Sequence, residues 1–438
     1  MKLNISYAIT LFLFILPIVL SVENNGFRIE LRHVDSKGNF TQSELLYRGA
    51  ARTMHRLSQI RGRLLFSSAN IISTMRGGNE ETPVGTYYMD LAIGTPPLFY
   101  SLIVDTATDL IWTQCTPCKK CVFQPRPIYN PSRSTTVSPI PCNSPIYEYL
   151  CSVDPPPPSC LCSYNYTYVA GWTSGTLKTE TFTFGTTKAV QLSKTVFGCS
   201  TSSSDDFNGT SGLVGFSRGP FSLPSQLNAS MFSYCLTSFF DTNSTSTLFL
   251  GPLAKFSGTA VTSTPFVKSP SKSPFSSFYY LSLQGISLGT TKLSIQPSTF
   301  TLQSNGTGGL IIDSGTTITN LINQAYHAVQ NAINSIVNLR RVDASNINGF
   351  DTCYNLPSGS SLPTMPDMTF HFEGADMVLP VENYMIPLAY QNNNLWCLAI
   401  FSSDISVSIL GNYQQQNFHI LYDVDKEVLS FAPAQCGN

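Results

Sequence analysis

From Tyr87 onward the chain alternates short apolar stretches with clusters of Gly, Pro, Asn and Ser. That is the rhythm of β-strands separated by turns. The pattern predicts strands at Tyr87–Ile93, Phe99–Val104, Thr176–Phe184, Ala189–Phe197, Thr247–Leu250, Tyr279–Leu288 and Leu310–Ile312. Further strands are predicted at Met368–Phe372, Trp396–Phe401, Phe418–Asp423 and Val428–Ala432. Few stretches keep helical spacing; the clearest is Gln324–Val337. An all-β protein follows.

The pattern also repeats itself. Tyr87-Tyr88 opens the strands leading to Leu102-Ile103-Val104, which run into Asp105-Thr106-Ala107. Tyr279-Tyr280 opens those leading to Leu310-Ile311-Ile312, which run into Asp313-Ser314-Gly315. Downstream of each aspartate comes an apolar pair closed by glycine, Leu213-Val214-Gly215 and Ile409-Leu410-Gly411. A matched duplication of this kind carries more weight than either tripeptide, since Asp-Ser-Gly alone is an ordinary turn.

With 438 residues the chain suits two domains of similar size behind an N-terminal extension. The organisation expected is a signal peptide over residues 1–21 and a propeptide over 22–80. An N-terminal lobe at 81–267 carries a cysteine-rich insert (115–162); a linker at 268–278 and a C-terminal lobe at 279–438 complete the chain. Residues 22–80 hold nine Lys or Arg against five acids, whereas 81–438 carry a net charge of −6. Within the basic segment Leu46, Ala50, Met54, Leu57 and Ile60 keep helical spacing, which suggests a propeptide lying over an acidic cleft. Net charge is −1 overall and there is no basic stripe, so nucleic acid is not an expected partner.

The apolar run Ile5–Leu20 behind Lys2 is short for a membrane span and normal for a secretory leader. Stable membrane association is therefore not expected, and the predicted location is extracellular. Twelve cysteines agree with an oxidising compartment. Seven lie between Cys115 and Cys162, where the run Cys115, Cys118, Cys121 reads as disulfide-forming rather than metal-binding. Asn165, Asn208, Asn228, Asn243 and Asn305 each head a glycosylation sequon.

Two turns facing each other would bring Asp105 and Asp313 to one centre. Two adjacent carboxylates cannot both ionise cheaply, so they share one proton over an acidic range. The ionised member can take a proton from a bound water while the protonated member hydrogen-bonds a scissile carbonyl. No metal, cofactor or covalent intermediate is required. Thr106 and Ser314 supply hydroxyls to lock the turns to each other's backbone, and Thr108 and Thr316 can bond the carboxylates from outside. Gly315 completes the second turn as part of the support of its aspartate.

With these residues in view, the chain resembles the pepsin-like aspartic proteases, and most closely the plant nepenthesin-like branch with its disease-resistance subgroup. The resemblance runs from Tyr87 to Cys436. It is carried by Ile93-Gly94-Thr95-Pro96-Pro97, Asp105 to Trp112, the insert Cys115–Cys162, Phe197-Gly198-Cys199, Gly215 to Gly219, Phe232 to Leu236, Ile311 to Thr316, and Ile409 to Asn412. It implies two pseudo-symmetric β-barrel-like lobes with a cleft between them, synthesis as an inactive precursor, peptide or protein substrates, and a monomer secreted to the apoplast. The saposin-like insert of other plant members is missing.

Two departures fall in the first lobe. Ala107 stands where the family has glycine; its methyl would cost about 1 kcal/mol or more if the turn needed a positive φ. The flap hairpin, which in the family carries Tyr-Gly-Asp-Gly-Ser, is matched here by the stretch from Tyr166 to Gly175, one residue shorter, with Tyr168 at the flap-tyrosine position and Val169 and Trp172 in place of a glycine and a serine. These changes keep a second reading open, a weak or inactive binding protein of the same fold, as in plant xylanase inhibitors. Gly215-Phe216-Ser217-Arg218-Gly219 also fits the serine-hydrolase elbow, but that elbow needs a strand-to-helix turn in an α/β sheet, and no αβ alternation is present.

Overall fold

The computed structural model describes residues 26–36, 40–53 and most of 87–437. Within the last span residues 145, 148–150, 152–160, 168–170, 186–189, 208, 242, 257, 259, 272–274, 343, 345–348, 358–361, 391–392, 404 and 406 fall outside the description. The predicted leader therefore lies outside the described residues. So do the flap positions Tyr168, Val169 and Ala170, the sequon residue Asn208, and Met54, Leu57 and Ile60 of the predicted propeptide helix.

Strands dominate, and one large sheet runs through both halves, with two four-stranded sheets on the second. The halves are joined by an antiparallel platform. Ser246–Leu250 pairs with Met231–Cys235, which pairs with Phe418–Asp423; Val428–Pro433 and Thr262–Val267 continue the order. Phe232 stacks on Tyr422 across this platform with ring centroids 4.4 Å apart. The apolar cores of the two lobes thus meet without a gap, in one cluster that reaches from Phe27 to Phe431.

A strand absent from the sequence-based expectation opens the structure. Phe27–His33 alternates Phe27, Ile29 and Leu31 inward with Arg28, Glu30 and Arg32 outward. It pairs with Ser246–Leu250 and then with Tyr87–Met89, so the predicted propeptide contributes an integral strand of the sheet. The segment turns and becomes helical over residues 42–53, as the spacing of Leu46 and Ala50 predicts. Its basic residues do not all face the body of the protein. Arg48 and Arg52 both bond the buried carboxylate of Asp35 within the same segment, at 2.6 and 2.8 Å.

The predicted helix is found at Asn323–Ile336, burying Ala325, Tyr326, Val329 and Ile333. The predicted strand Tyr279–Leu288 is broken into Tyr280–Leu281 and Leu283–Leu288, with a register shift between Leu283 and Gly285. Trp396–Phe401 divides likewise, its first part lying in Asn393–Leu398 and its second in Ile400–Ser403, which belong to different sheets. Five disulfides are described: Cys115–Cys199, Cys118–Cys121, Cys151–Cys162, Cys235–Cys436 and Cys353–Cys397. Among the described residues no helix is long and apolar enough to cross a membrane.

Candidate active site

Each aspartate ends a buried strand held by a parallel neighbour. Leu98–Asp105 runs beside Gly212–Gly215 with Val104 opposite Val214 and Asp105 opposite Gly215. Leu310–Ile312 runs beside Ser408–Leu410 with Ile312 opposite Leu410. The two apolar-glycine phrases are therefore the strands that flank the aspartates. The glycines are needed for closeness: a Cβ on Gly215 would stand 2.3 Å from the Asp109 carbonyl oxygen, and one on Gly411 2.7 Å from that of Thr317.

The turns meet across the lobe boundary. The Thr106 amide donates to Ser314 Oγ (3.2 Å) and the Ser314 amide donates to Thr106 Oγ1 (2.9 Å). Ser314 Oγ donates in turn to the Val104 carbonyl at 3.2 Å. These bonds are buried, so leaving any one unmade would cost on the order of 1–3 kcal/mol, and each turn fixes the other's position.

The carboxylates are held alike. The Ala107 amide donates to Asp105 Oδ1 at 2.8 Å, and the Gly315 amide donates to Asp313 Oδ1 at the same distance. Thr316 Oγ1 donates to Asp313 Oδ2 at 2.6 Å. Thr108 is buried beside the first turn, its amide 3.4 Å from the Asp105 carbonyl oxygen. Asp105 and Asp313 are themselves buried, 3% and 0% exposed.

Ala107 is not among the residues with positive φ, and neither is Gly315. The turn therefore does not demand glycine, and alanine keeps the amide where the carboxylate needs it. Its methyl packs beside a second-lobe cluster that includes Phe275, Phe278, Tyr280 and Ile409. Ala107→Gly is accordingly expected to change kcat/KM for a peptide by less than about threefold, while costing about 0.4–1 kcal/mol through added freedom of the unfolded chain. Parallel kinetics and denaturant unfolding check this. A tenfold gain in kcat/KM would show instead that the methyl obstructs the cleft.

Several supports are invisible as motifs. Asn412 Nδ2 donates to the Ser314 carbonyl (2.7 Å), and Gln415 Nε2 donates to the carbonyls of Leu410 and Asp313 (2.9 and 3.3 Å). Gln414, Gln415 and Gln416 are all buried; three consecutive glutamines just beyond an apolar strand were the available signal. Asp109 accepts from the Phe221 amide at 2.8 Å, and burial raises its carboxyl to about 6. It braces the loop that carries Gly215 to Gly219. Ser217, the elbow serine, is buried there; its amide donates to the Thr108 carbonyl at 3.0 Å, so this phrase props the first turn.

A Ser–His–Asp relay does exist elsewhere. Ser287 Oγ and His371 Nε2 are 2.7 Å apart, as are His371 Nδ1 and Asp376 Oδ1. Ser287 is buried, and its strand is laddered on both sides, by Thr291–Lys292 and by Met368–Phe372. Its backbone amides are thus engaged rather than free to hold an oxyanion, and the relay serves the sheet.

The helix over residues 42–53 descends on the second turn. Thr53 Oγ1 accepts from the Ile318 amide at 2.8 Å, and a Cβ on Gly49 would stand 2.8 Å from Thr317 Cγ2. Ser43 Oγ accepts from the Ala389 amide at 2.8 Å. Of the other predicted sites, Asn165, Asn228, Asn243 and Asn305 are exposed. Tyr168 lies outside the described residues, between Thr167 and Gly171.

Comparison with known proteins places this geometry in company. Family models described as xylanase inhibitor N-terminal and xylanase inhibitor C-terminal match residues 87–252 and 278–433. Aspartic proteinase nepenthesin-1 of Nepenthes gracilis is 43% identical over 418 residues, covering 94% of this chain and 91% of that protein. Nepenthesin-2 of the same plant is 41% identical, covering 94% and 90%. Aspartyl protease family protein 2 of Arabidopsis thaliana is 33% identical over 93% of this chain and 85% of its own. Among solved structures, that of edgp superposes with a TM-score of 0.65 at 19% identity, covering 82% of this chain and 93% of that one. Basic 7S globulin from soybean superposes at 0.61 and 17%, covering 80% and 95%; at these identities the likeness is of fold.

Proposed function

The chain belongs to the nepenthesin-like plant aspartic proteinases, and from that membership we propose that Asp105 and Asp313 are the pair by which it hydrolyses peptide bonds. The observation that carries the assignment is the matched hold on the two carboxylates, an amide at 2.8 Å to each Oδ1 on turns locked together across the lobes. A water between the carboxylates loses a proton to the ionised member, and its oxygen adds to the carbonyl carbon. The protonated member hydrogen-bonds the carbonyl oxygen as it gains charge. The tetrahedral adduct collapses as the carboxyl that took the water's proton passes it to the amide nitrogen and the C–N bond breaks. Thr106, Thr108, Ser314, Gly315 and Thr316 hold the pair in place, and Tyr168 belongs to the flap over the substrate.

The same reading makes residues 1–21 a leader and 22–80 a propeptide removed on maturation. Secretion to the extracellular space accords with the disulfide framework, since such bonds persist in oxidising compartments. Asn165, Asn208, Asn228, Asn243 and Asn305 are the proposed glycan acceptors, and the mature chain is a monomer.

A second reading, a binding protein without turnover, draws on the xylanase-inhibitor description of the family models and on Val169, Ala170 and Trp172 in the flap. Against it stands the undamaged first turn. Acidifying the full-length chain to about pH 3–5, where a carboxylate pair shares one proton, should yield pepstatin-sensitive cleavage of a denatured protein. Protein that has lost residues 22–80 and still cleaves nothing would leave the binding reading in possession.

A further inference from the structure

The second lobe carries a groove of about 500 Å³ that the proposed chemistry does not use. It lies between the strand Leu283–Leu288 and the turn of 3-10 helix Pro297–Phe300. Its wall combines apolar Val267, Phe300 and Leu302 with polar Ser282 and Gln284 and a single cation, Lys292. Among the described residues no carboxylate pairs with Lys292, and no other titratable side chain lines the groove.

The backbone is shaped to present these groups. The register shift between Leu283 and Gly285 takes Gln284 out of the ladder and turns its amide to the exposed side, as bulges do. Gly285 then leaves the lysine room: a Cβ there would stand 3.1 Å from Lys292 Cε and 3.8 Å from Nζ. The ammonium group thus lies along the strand. A volume of this size holds a few side chains, and the mixture of one cation, an amide and apolar wall selects an anion with an apolar neighbour.

Val267 and Leu302 of the wall pack in the same cluster as Ala107, whose amide bonds Asp105. The groove and the first catalytic turn thus share one apolar cluster of the second lobe. We propose that it is an exosite for an acidic stretch of the protein substrate, holding an Asp or Glu on Lys292 and the adjoining residue on Phe300 and Leu302. This rests on the proteinase reading. A surface cation gains only modestly from such pairing, so the effect belongs in KM and is about twofold to fivefold. Free Asp and Glu lose their charge near pH 4. The preference should therefore be present at about pH 5 and fade towards about pH 3.

Two substrates sharing one scissile core, extended by an acidic or a neutral tail, test the site. The wild type should cleave the acid-tailed one with a KM about twofold to fivefold lower at about pH 5. Lys292→Ala should abolish the difference and Lys292→Glu reverse it, with the bare core cleaved equally by all three. A preference that survives Lys292→Ala, or none in the wild type, overturns the exosite. Failure to cleave even the bare core would count against the catalytic assignment instead. In that event anisotropy of the labelled acidic tail decides: weaker binding to Lys292→Ala supports the groove, and unchanged binding removes it.

Discussion

Asp105→Asn and Asp313→Asn are each expected to lower kcat/KM for peptide cleavage at acidic pH by about 10³-fold or more, with folding intact. The reason is a loss of function without a loss of shape. At Asp313 one oxygen accepts from the Gly315 amide and the other from Thr316 Oγ1. Asparagine keeps a carbonyl for the amide, and the threonine hydroxyl can turn to accept from Nδ2. At Asp105 the Ala107 amide likewise keeps an oxygen acceptor. What neither variant keeps is a basic group able to take the proton of water while its partner donates. Single-turnover kinetics on purified variants, with circular dichroism to verify the fold, give the answer. Pepstatin-sensitive cleavage persisting at more than about a hundredth of wild type in either variant would remove the pair from the mechanism.

How much of this arrangement was legible beforehand follows from how local each signal is. Leu102-Ile103-Val104-Asp105 and Leu213-Val214-Gly215 can be matched with their second-lobe copies because each is a short strand written without interruption. The structure pairs them in parallel with Asp105 opposite Gly215. The worry over Ala107 could not be resolved from sequence, since it turned on the sign of one backbone angle. Disulfide pairing was equally hidden: Cys115 finds Cys199, 84 residues away, past six cysteines of its own cluster. Phe27–His33 has perfect two-residue alternation, yet sits in a segment whose helical spacing further on suggested another state. Its partners, Ser246–Leu250 and Tyr87–Met89, are distant in sequence, so nothing nearby announces a strand.

That unannounced segment is where the second large effect is expected. Asp35→Ala should destabilise the seating of residues 26–53 by about 3–5 kcal/mol, the usual result of stripping one partner from a buried ion pair. Asp35 is 2% exposed and Arg52 4%, with their contact at 2.8 Å; the Asp35 amide donates to His33 Nδ1, and the His33 ring packs on Phe239 with centroids 4.3 Å apart. Burial alone would push the Asp35 carboxyl up, but the Arg52 guanidinium, with His33 and Arg48 beside it, holds it below the ordinary range. Burial likewise brings the His33 ring down to about 3, against the pull of Asp35 and with the help of Arg52 and Arg48.

Both shifts act in the same direction. The unfolded His33 binds a proton below its ordinary value of 6.5 and the folded one only near 3, so stability falls as pH drops through that window, by roughly 1.4 kcal/mol per unit. The contribution of Asp35 is present above 3.8 and is lost as pH falls through its lower folded value. Acid therefore loosens the segment whose Thr53 rests on Ile318, five residues past Asp313. Hydrogen exchange of residues 26–53 at neutral pH should be fast in Asp35→Ala and slow in wild type, with the wild type approaching the variant as pH falls towards about 3. His33→Phe, which cannot take up the proton, should flatten the upper part of that pH dependence while leaving the segment seated. Equal protection in wild type and Asp35→Ala would mean that the apolar face of the strand alone holds the segment, and that its buried charges are ballast.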